Sequence, residues 1–134
     1  SYAAGGAFIK RRINTNLFKN LKKGELYYLI CLYMAFLINF CLNKMNSANT
    51  IILDGPITKN DCIMKILSTL RNNQIVLKNK KEIGTSLGAT NLFNIKKKNK
   101  LDTKAIKKFQ NKNFKNVYSK WEENLYKKKL FNKS

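Results

Sequence analysis

Apolar residues dominate from Glu25 to Met45, with neither Pro nor Gly inside. Gly24-Glu25 offers a start with a carboxylate near the positive helix end, so the stretch predicts a helix. Its apolar residues occupy most of the circumference, which implies burial on several sides or a membrane. Leu26–Leu42 would rise about 25 Å, short of a hydrocarbon core of about 30 Å. Thr50–Asp54 is a short β-branched run that stops at Gly55-Pro56 and reads as a strand entering a turn. Thr58 or Asn60 can cap the next helix, whose apolar positions Ile63, Ile66, Leu67 and Leu70 keep helical spacing up to Asn72-Asn73. Ile75-Val76-Leu77 reads as a second strand. Strand, helix and strand over this length make a βαβ unit, which favours parallel pairing.

Beyond the basic connection Lys78–Lys81, small residues recur at Gly84, Gly88 and Ala89 at nearly one-turn spacing. A helix carrying them can lie close to a neighbour. Leu101–Lys129 predicts a terminal helix with Asp102 or Thr103 as N-cap and Ala105, Ile106, Phe109, Val117, Trp121 and Leu125 on one side. Residues 1–23 read as a loop or an incomplete edge, 24–100 as the domain core, and 101–134 as a C-terminal helix with a basic tail. The opening residues, small first and basic afterwards, do not resemble a signal peptide.

The 134 residues suit one domain or part of one, and carry a net charge of +20. Charge alone points to nucleic acid or an anionic membrane. However, the basic residues are almost all Lys, with Arg only at Arg11, Arg12 and Arg71, and Asn and Ile are abundant too. That combination points to codon drift in an AT-rich genome as the main source, since phosphate and base readers favour Arg. Cys31, Cys41 and Cys62 fit no metal spacing, sit among apolar residues and read as buried free thiols in a reducing cytoplasm. The chain has no His, which removes the commonest general base. The seven acids, Glu25, Asp54, Asp61, Glu82, Asp102, Glu122 and Glu123, include no recognisable acid–base pair, and Asp54 reads as a turn or cap residue rather than a metal ligand.

The candidate chemistry lies in Ile51–Asn60. In open α/β sheets ligands bind beyond the carboxyl ends of the strands. There helix N-termini present free N–H groups suited to phosphate, and a glycine admits close approach. By itself a strand–Gly–helix turn usually only reverses the chain.

The order of pieces adds weight. A long apolar helix leads into Thr50–Asp54, then Asp54-Gly55-Pro56, Thr58-Lys59-Asn60, a helix, the strand Gln74–Leu77, and Gly84-Thr85-Ser86-Leu87-Gly88-Ala89. This series resembles the C-terminal domain of FGGY carbohydrate kinases, from about Glu25 to Trp121. Tyr118 and Trp121 are similar to the aromatics of that family's last helix. Pro56 replaces a common second glycine, and Asn72-Asn73-Gln74 stands where Gly-Arg-Pro is usual. The resemblance implies an α/β, partial ribonuclease-H-like or actin-like ATPase domain with a βαβ unit, a long buried helix and a C-terminal helix. It implies ATP with Mg²⁺, a sugar substrate in the full-length enzyme and a cytoplasmic setting. It places Gly55 with Pro56 beside phosphate and ribose, Lys59 in the same turn, Asn60 beside adenine, and Gly84, Gly88 and Ala89 next to the pocket. The family's catalytic aspartate and first phosphate loop have no counterpart in these residues, so no catalytic or metal-binding residue is assigned.

Two other readings compete. Lys96–Lys100, Lys104–Lys112 and Lys127–Lys129, interleaved with Phe109, Phe114 and Tyr118, could make a nucleic-acid surface. Leu26–Leu42 could anchor a small membrane protein with a basic tail.

Overall fold

The computed structural model describes residues 18–80, 102–110 and 113–130, with backbone only for 126–130. Helix α1 spans Lys23–Lys44 and strand β1 Ile51–Leu53. A 3₁₀ helix at Gly55–Lys59 leads into α2, Asp61–Leu70. Strand β2 (Val76–Asn79), strand β3 (Thr103–Ala105) and helix α3 (Phe114–Leu130) follow.

The two ends of α1 are set by local chemistry. Glu25 accepts a hydrogen bond from the backbone N–H of Lys22 at 2.8 Å, which satisfies a free donor of the first turn. At the other end Asn46 takes φ +52°. Asn tolerates this left-handed position better than most residues. It lets the Ser47 N–H reach Leu42 O and the Asn46 N–H reach Asn43 O, both at 3.0 Å, the paired bonds of a glycine-type helix stop.

The βαβ unit forms as the sequence predicts. β1 and β2 pair in parallel, with Ile51 opposite Val76 and Leu53 opposite Lys78. Ile51 and Leu53 point into the core while Ile52 is exposed, the period of two expected of a strand. α2 crosses between them and buries Ile63, Met64, Ile66, Leu67 and Leu70. The core is completed by Cys31, Ala35 and Phe36 of α1 and by Phe114 and Tyr118 of α3. α3 docks through aromatic edges. Phe36 meets Tyr118 at 5.3 Å between centroids, nearly perpendicular, and Trp121 at 5.6 Å. Such pairs add about 0.5–1.5 kcal/mol each beyond their buried area.

The long helix is present, but its burial is one-sided. Only Cys31, Ala35, Phe36 and Asn39 are buried, a stripe at helical spacing, rather than several faces. By length and composition α1 is apolar enough to cross a membrane. Its buried stripe is nevertheless packed into the same core as β1, α2 and α3.

The terminal helix begins later than its pattern suggests. Asp102 and Thr103 do not cap it. Thr103–Ala105 instead pairs antiparallel with β2, Leu77 opposite Ala105 and Asn79 opposite Thr103. The carboxylate of Asp102 lies 2.8 Å from the ammonium of Lys80. Residues 106–109 then run along α2. The hydroxyl of Ser68 donates to Ile106 O at 3.3 Å, and the Phe109 N–H donates to the hydroxyl of Thr69 at 2.8 Å. The edge of β2 and these hydroxyls satisfy backbone groups that a helix would otherwise pair internally. Ala105, Ile106 and Phe109 therefore belong to this strap, and Val117, Trp121 and Leu125 to α3.

Tyr118 gives this packing a pH signature. Burial, and then the nearby Glu122 carboxylate, push its hydroxyl from 10.0 up to about 12. The unfolded chain loses the proton near pH 10 while the folded chain keeps it until about 12, so ionisation favours unfolding in that window. Urea midpoints should fall between pH 10 and 12, and Tyr118→Phe should flatten that fall.

Candidate functional site

β1 ends where the chain must turn sharply. Gly55 has φ +75°, a conformation that costs a side-chain-bearing residue roughly 1–2 kcal/mol. Space at the position is not the constraint, because a Cβ there would meet nothing within 4 Å. The glycine is therefore required by the backbone and leaves open room above it. Gly55→Ala should lower stability by about 1–2 kcal/mol in a denaturant titration without changing the helical signal.

Pro56 opens the 3₁₀ helix, where its missing N–H costs no internal bond. It also leaves one donor fewer for an anion. The Thr58 hydroxyl donates to Gly55 O at 2.7 Å and closes the turn. Asn60 follows as the N-cap of α2, its side-chain oxygen accepting from the Ile63 N–H at 3.0 Å. Of the two capping candidates, Asn60 is the one used. Its amide nitrogen also lies 3.6 Å from the Cys31 sulfur, which ties the turn to α1.

Asp54 is structural, but its side chain makes no cap hydrogen bond of the kind read from the sequence and turns to the neighbouring strand instead. Its carboxylate accepts from Asn79 Nδ2 at 3.1 Å, joining the carboxyl ends of β1 and β2. Asn79 is only 4% exposed. An Asn at the end of a short strand carries no sequence signal that separates it from a loop Asn. Nearby, the Lys78 ammonium stands 3.8 Å from Asp61 at the start of α2.

The carboxyl ends of the parallel strands thus carry one compact turn holding Gly55, Pro56, Lys59 and Asn60. Pro56 and Lys59 are exposed, while Gly55 and Asn60 are half-buried. Gly84, Gly88 and Ala89 lie outside the described residues. No group of His, Cys, Asp or Glu among the described residues could hold a metal. Asp54 is bonded to Asn79, and among the described residues no group of acids around it could hold a metal, so it does not fit a Mg²⁺ site.

At the amino ends of the same strands lies an open pocket of about 310 Å³, lined by residues that include Asn39, Asn43, Arg71, Gln74, Lys115 and Tyr118. Its polar groups are largely committed to one another. The Arg71 guanidinium donates to Ser47 O at 3.3 Å, Gln74 Oε1 at 2.9 Å and Asn39 O at 3.2 Å. Burial lowers the pKa of this group. Lys115 donates to Asn72 Oδ1 at 2.9 Å. This end works as a clamp between α1, the loop after it and the end of α2.

The aromatics proposed for base stacking are occupied. Phe114 and Tyr118 are buried in the core, and Phe109 packs on Phe114 at 5.7 Å. Lys108 donates to Asn72 O at 2.8 Å. The nucleic-acid reading loses its stacking platform.

A parallel strand pair joined by a crossover helix, with an antiparallel third strand, defines a mixed α/β domain. Residues 1–102 match the family model for the carbohydrate kinase FGGY C-terminal domain. The chain belongs to the FGGY carbohydrate kinase family, through its C-terminal domain. Among solved structures, a carbohydrate kinase from Novosphingobium aromaticivorans has the same fold at 20% identity and a TM-score of 0.59. The match covers 68% of this chain and 20% of that kinase, so the chain corresponds to about a fifth of its length. No curated protein sequence matches the chain.

Proposed function

We propose that this chain is the nucleotide-binding C-terminal part of an ATP-dependent sugar kinase. In the whole enzyme a phosphoryl group would pass from ATP to a sugar hydroxyl, in the cytoplasm. The observation that carries the reading is Gly55. It holds a positive φ at the carboxyl end of a parallel strand, with open space where a side chain would stand, in a chain of the FGGY family.

The roles follow from that turn. Gly55 admits the nucleotide phosphates close to the backbone. Lys59, exposed two residues before α2, adds a cation that phosphates would favour. Asn60, held as the helix cap and against Cys31, would fix the edge of the turn that faces the base. The general base and the Mg²⁺ ligands would come from the complementary part of the kinase, since phosphoryl transfer needs both and the described residues provide neither. Isolated, the chain is expected to bind adenine nucleotides weakly or not at all, because half the cleft is missing, and to transfer no phosphate.

Photolabelling with 8-azido-ATP tests this reading in the kinase polypeptide as the organism makes it. Label is expected on the peptide that contains Asn60, and excess Mg-ATP should remove it. Label confined to other parts of the chain, such as Arg71–Gln74, would overturn the assignment.

A further inference from the structure

The pocket at the amino ends of β1 and β2 gathers cations that no carboxylate balances. Arg71 and Lys115 line it, and none of its lining residues is acidic. The Arg71 guanidinium donates to neutral oxygens of Ser47, Gln74 and Asn39. These bonds use three of its five N–H groups. One hydrogen on Nη2 and the buried Nε–H are left without a partner among the described residues. Lys115 donates to Asn72 Oδ1, and Lys108 to the backbone oxygen of the same residue. Cations from the C-cap of α2, the strap after β3 and the first turn of α3 therefore converge on one corner.

Other lysines of the fold do have carboxylate partners. Lys78 faces Asp61 at 3.8 Å and Lys80 faces Asp102 at 2.8 Å. Glu122, whose carboxylate accepts from the Tyr118 hydroxyl at 3.2 Å, is not among the residues that line the pocket. Like charges held together repel, most strongly where burial thins the water around them. Burial already draws the pKa of Arg71 down. Joining neutral carbonyls does not require a cation, since the Gln74 amide does the same work at Ser47 O and Asn49 O. A guanidinium at this place gains most from an anion arriving beside it.

The space suits a small molecule. About 310 Å³ is at the lower end of small-ligand sites, enough for a phosphate group with a short polar body. Asn43, Asn73 and Ser119 line the remainder and offer amides and a hydroxyl to that body. A phosphate monoester carries close to two negative charges near neutral pH, matching the two lining cations, whereas a monocarboxylate matches one.

We propose that this pocket binds a small phosphate monoester, with Arg71 and Lys115 holding the phosphate and the amide-lined remainder holding its body. The site lies at the opposite ends of the strands from the Asp54–Asn60 turn and does not depend on the kinase reading.

Titration calorimetry with glycerol 2-phosphate tests the proposal in the polypeptide as the organism makes it. At constant ionic strength, saturable binding in the millimolar range or tighter is expected. Glycerol and lactate should bind at least about tenfold more weakly, lacking the phosphate or its second charge. Hydrogen exchange should slow at Arg71–Gln74 and Lys115–Ser119 when the ester is added. Lys115→Gln should raise the Kd about tenfold, the scale of one charge-assisted bond. The residue is exposed, and unchanged circular dichroism would show that the variant is folded. Ser119→Glu, also at an exposed position, sets a carboxylate in the lining and should abolish binding; it serves where Lys115→Gln does not fold. Absence of binding would overturn the proposal. So would lactate binding as tightly as the ester, slowed exchange confined to Asp54–Asn60 or to other parts of the polypeptide, or an unchanged Kd in either folded variant.

Discussion

Phe36→Ala is expected to destabilise the chain by about 3–5 kcal/mol, the range for removing a buried aromatic ring and leaving a cavity. Phe36 is 2% exposed and meets both Tyr118 and Trp121, so its ring is the joint between α1 and α3. Loss of the ring leaves those two partners facing a void, and α3 should loosen first. Chemical denaturation followed by Trp121 fluorescence, beside far-UV circular dichroism, reads both effects. Since Trp121 is the only tryptophan, its signal reports the α1–α3 contact directly. A shift in midpoint below 1 kcal/mol would mean that this joint contributes little. Phe36→Leu should recover part of the loss by refilling the space.

Arg71→Ala should cost about 2–3 kcal/mol, the scale for hydrogen bonds made by a charged donor. The guanidinium ties Asn39 O, Ser47 O and Gln74 Oε1 into one clamp. Gln74 itself donates to Ser47 O at 3.2 Å and Asn49 O at 2.7 Å, so losing Arg71 also frees the side chain that orients the entry to β1. Arg71→Lys should recover less than half, because one ammonium cannot reproduce a planar fork. Hydrogen exchange at Ser47 and Asn49, together with the urea midpoint, distinguishes the two variants. Equal stability for Arg71→Lys and the parent chain would show that charge alone, not geometry, holds the clamp. Neither substitution touches the Asp54–Asn60 turn, so neither should redirect the photolabel.

The contiguous elements were legible because their signals are local. The period-two run at Ile51–Leu53, the stop at Gly55, the cap at Asn60 and the apolar spacing of α2 each lie within a few residues. β3 was not legible. Thr103–Ala105 sits in a Lys-rich segment whose apolar residues suit a helix, and only the distant edge of β2 and the hydroxyls of Ser68 and Thr69 draw it out of one. For α1 the pattern showed helix but not coverage, because a sequence apolar all round does not say which side meets a neighbour. The site was legible as far as its turn. Asn79, which fixes Asp54, was hidden because its partner is 25 residues away. The roles of Gly55, Pro56, Lys59 and Asn60 toward a nucleotide come from the family resemblance and await the label.

Lys80 and Asp102 are joined twice, by a backbone bond of 2.9 Å and by their side chains at 2.8 Å. The β2–β3 pairing is thus pinned at this end by a backbone bond and an ion pair together. The ion pair is half exposed, so added salt weakens only that half of the tie and leaves the backbone bond to hold the register.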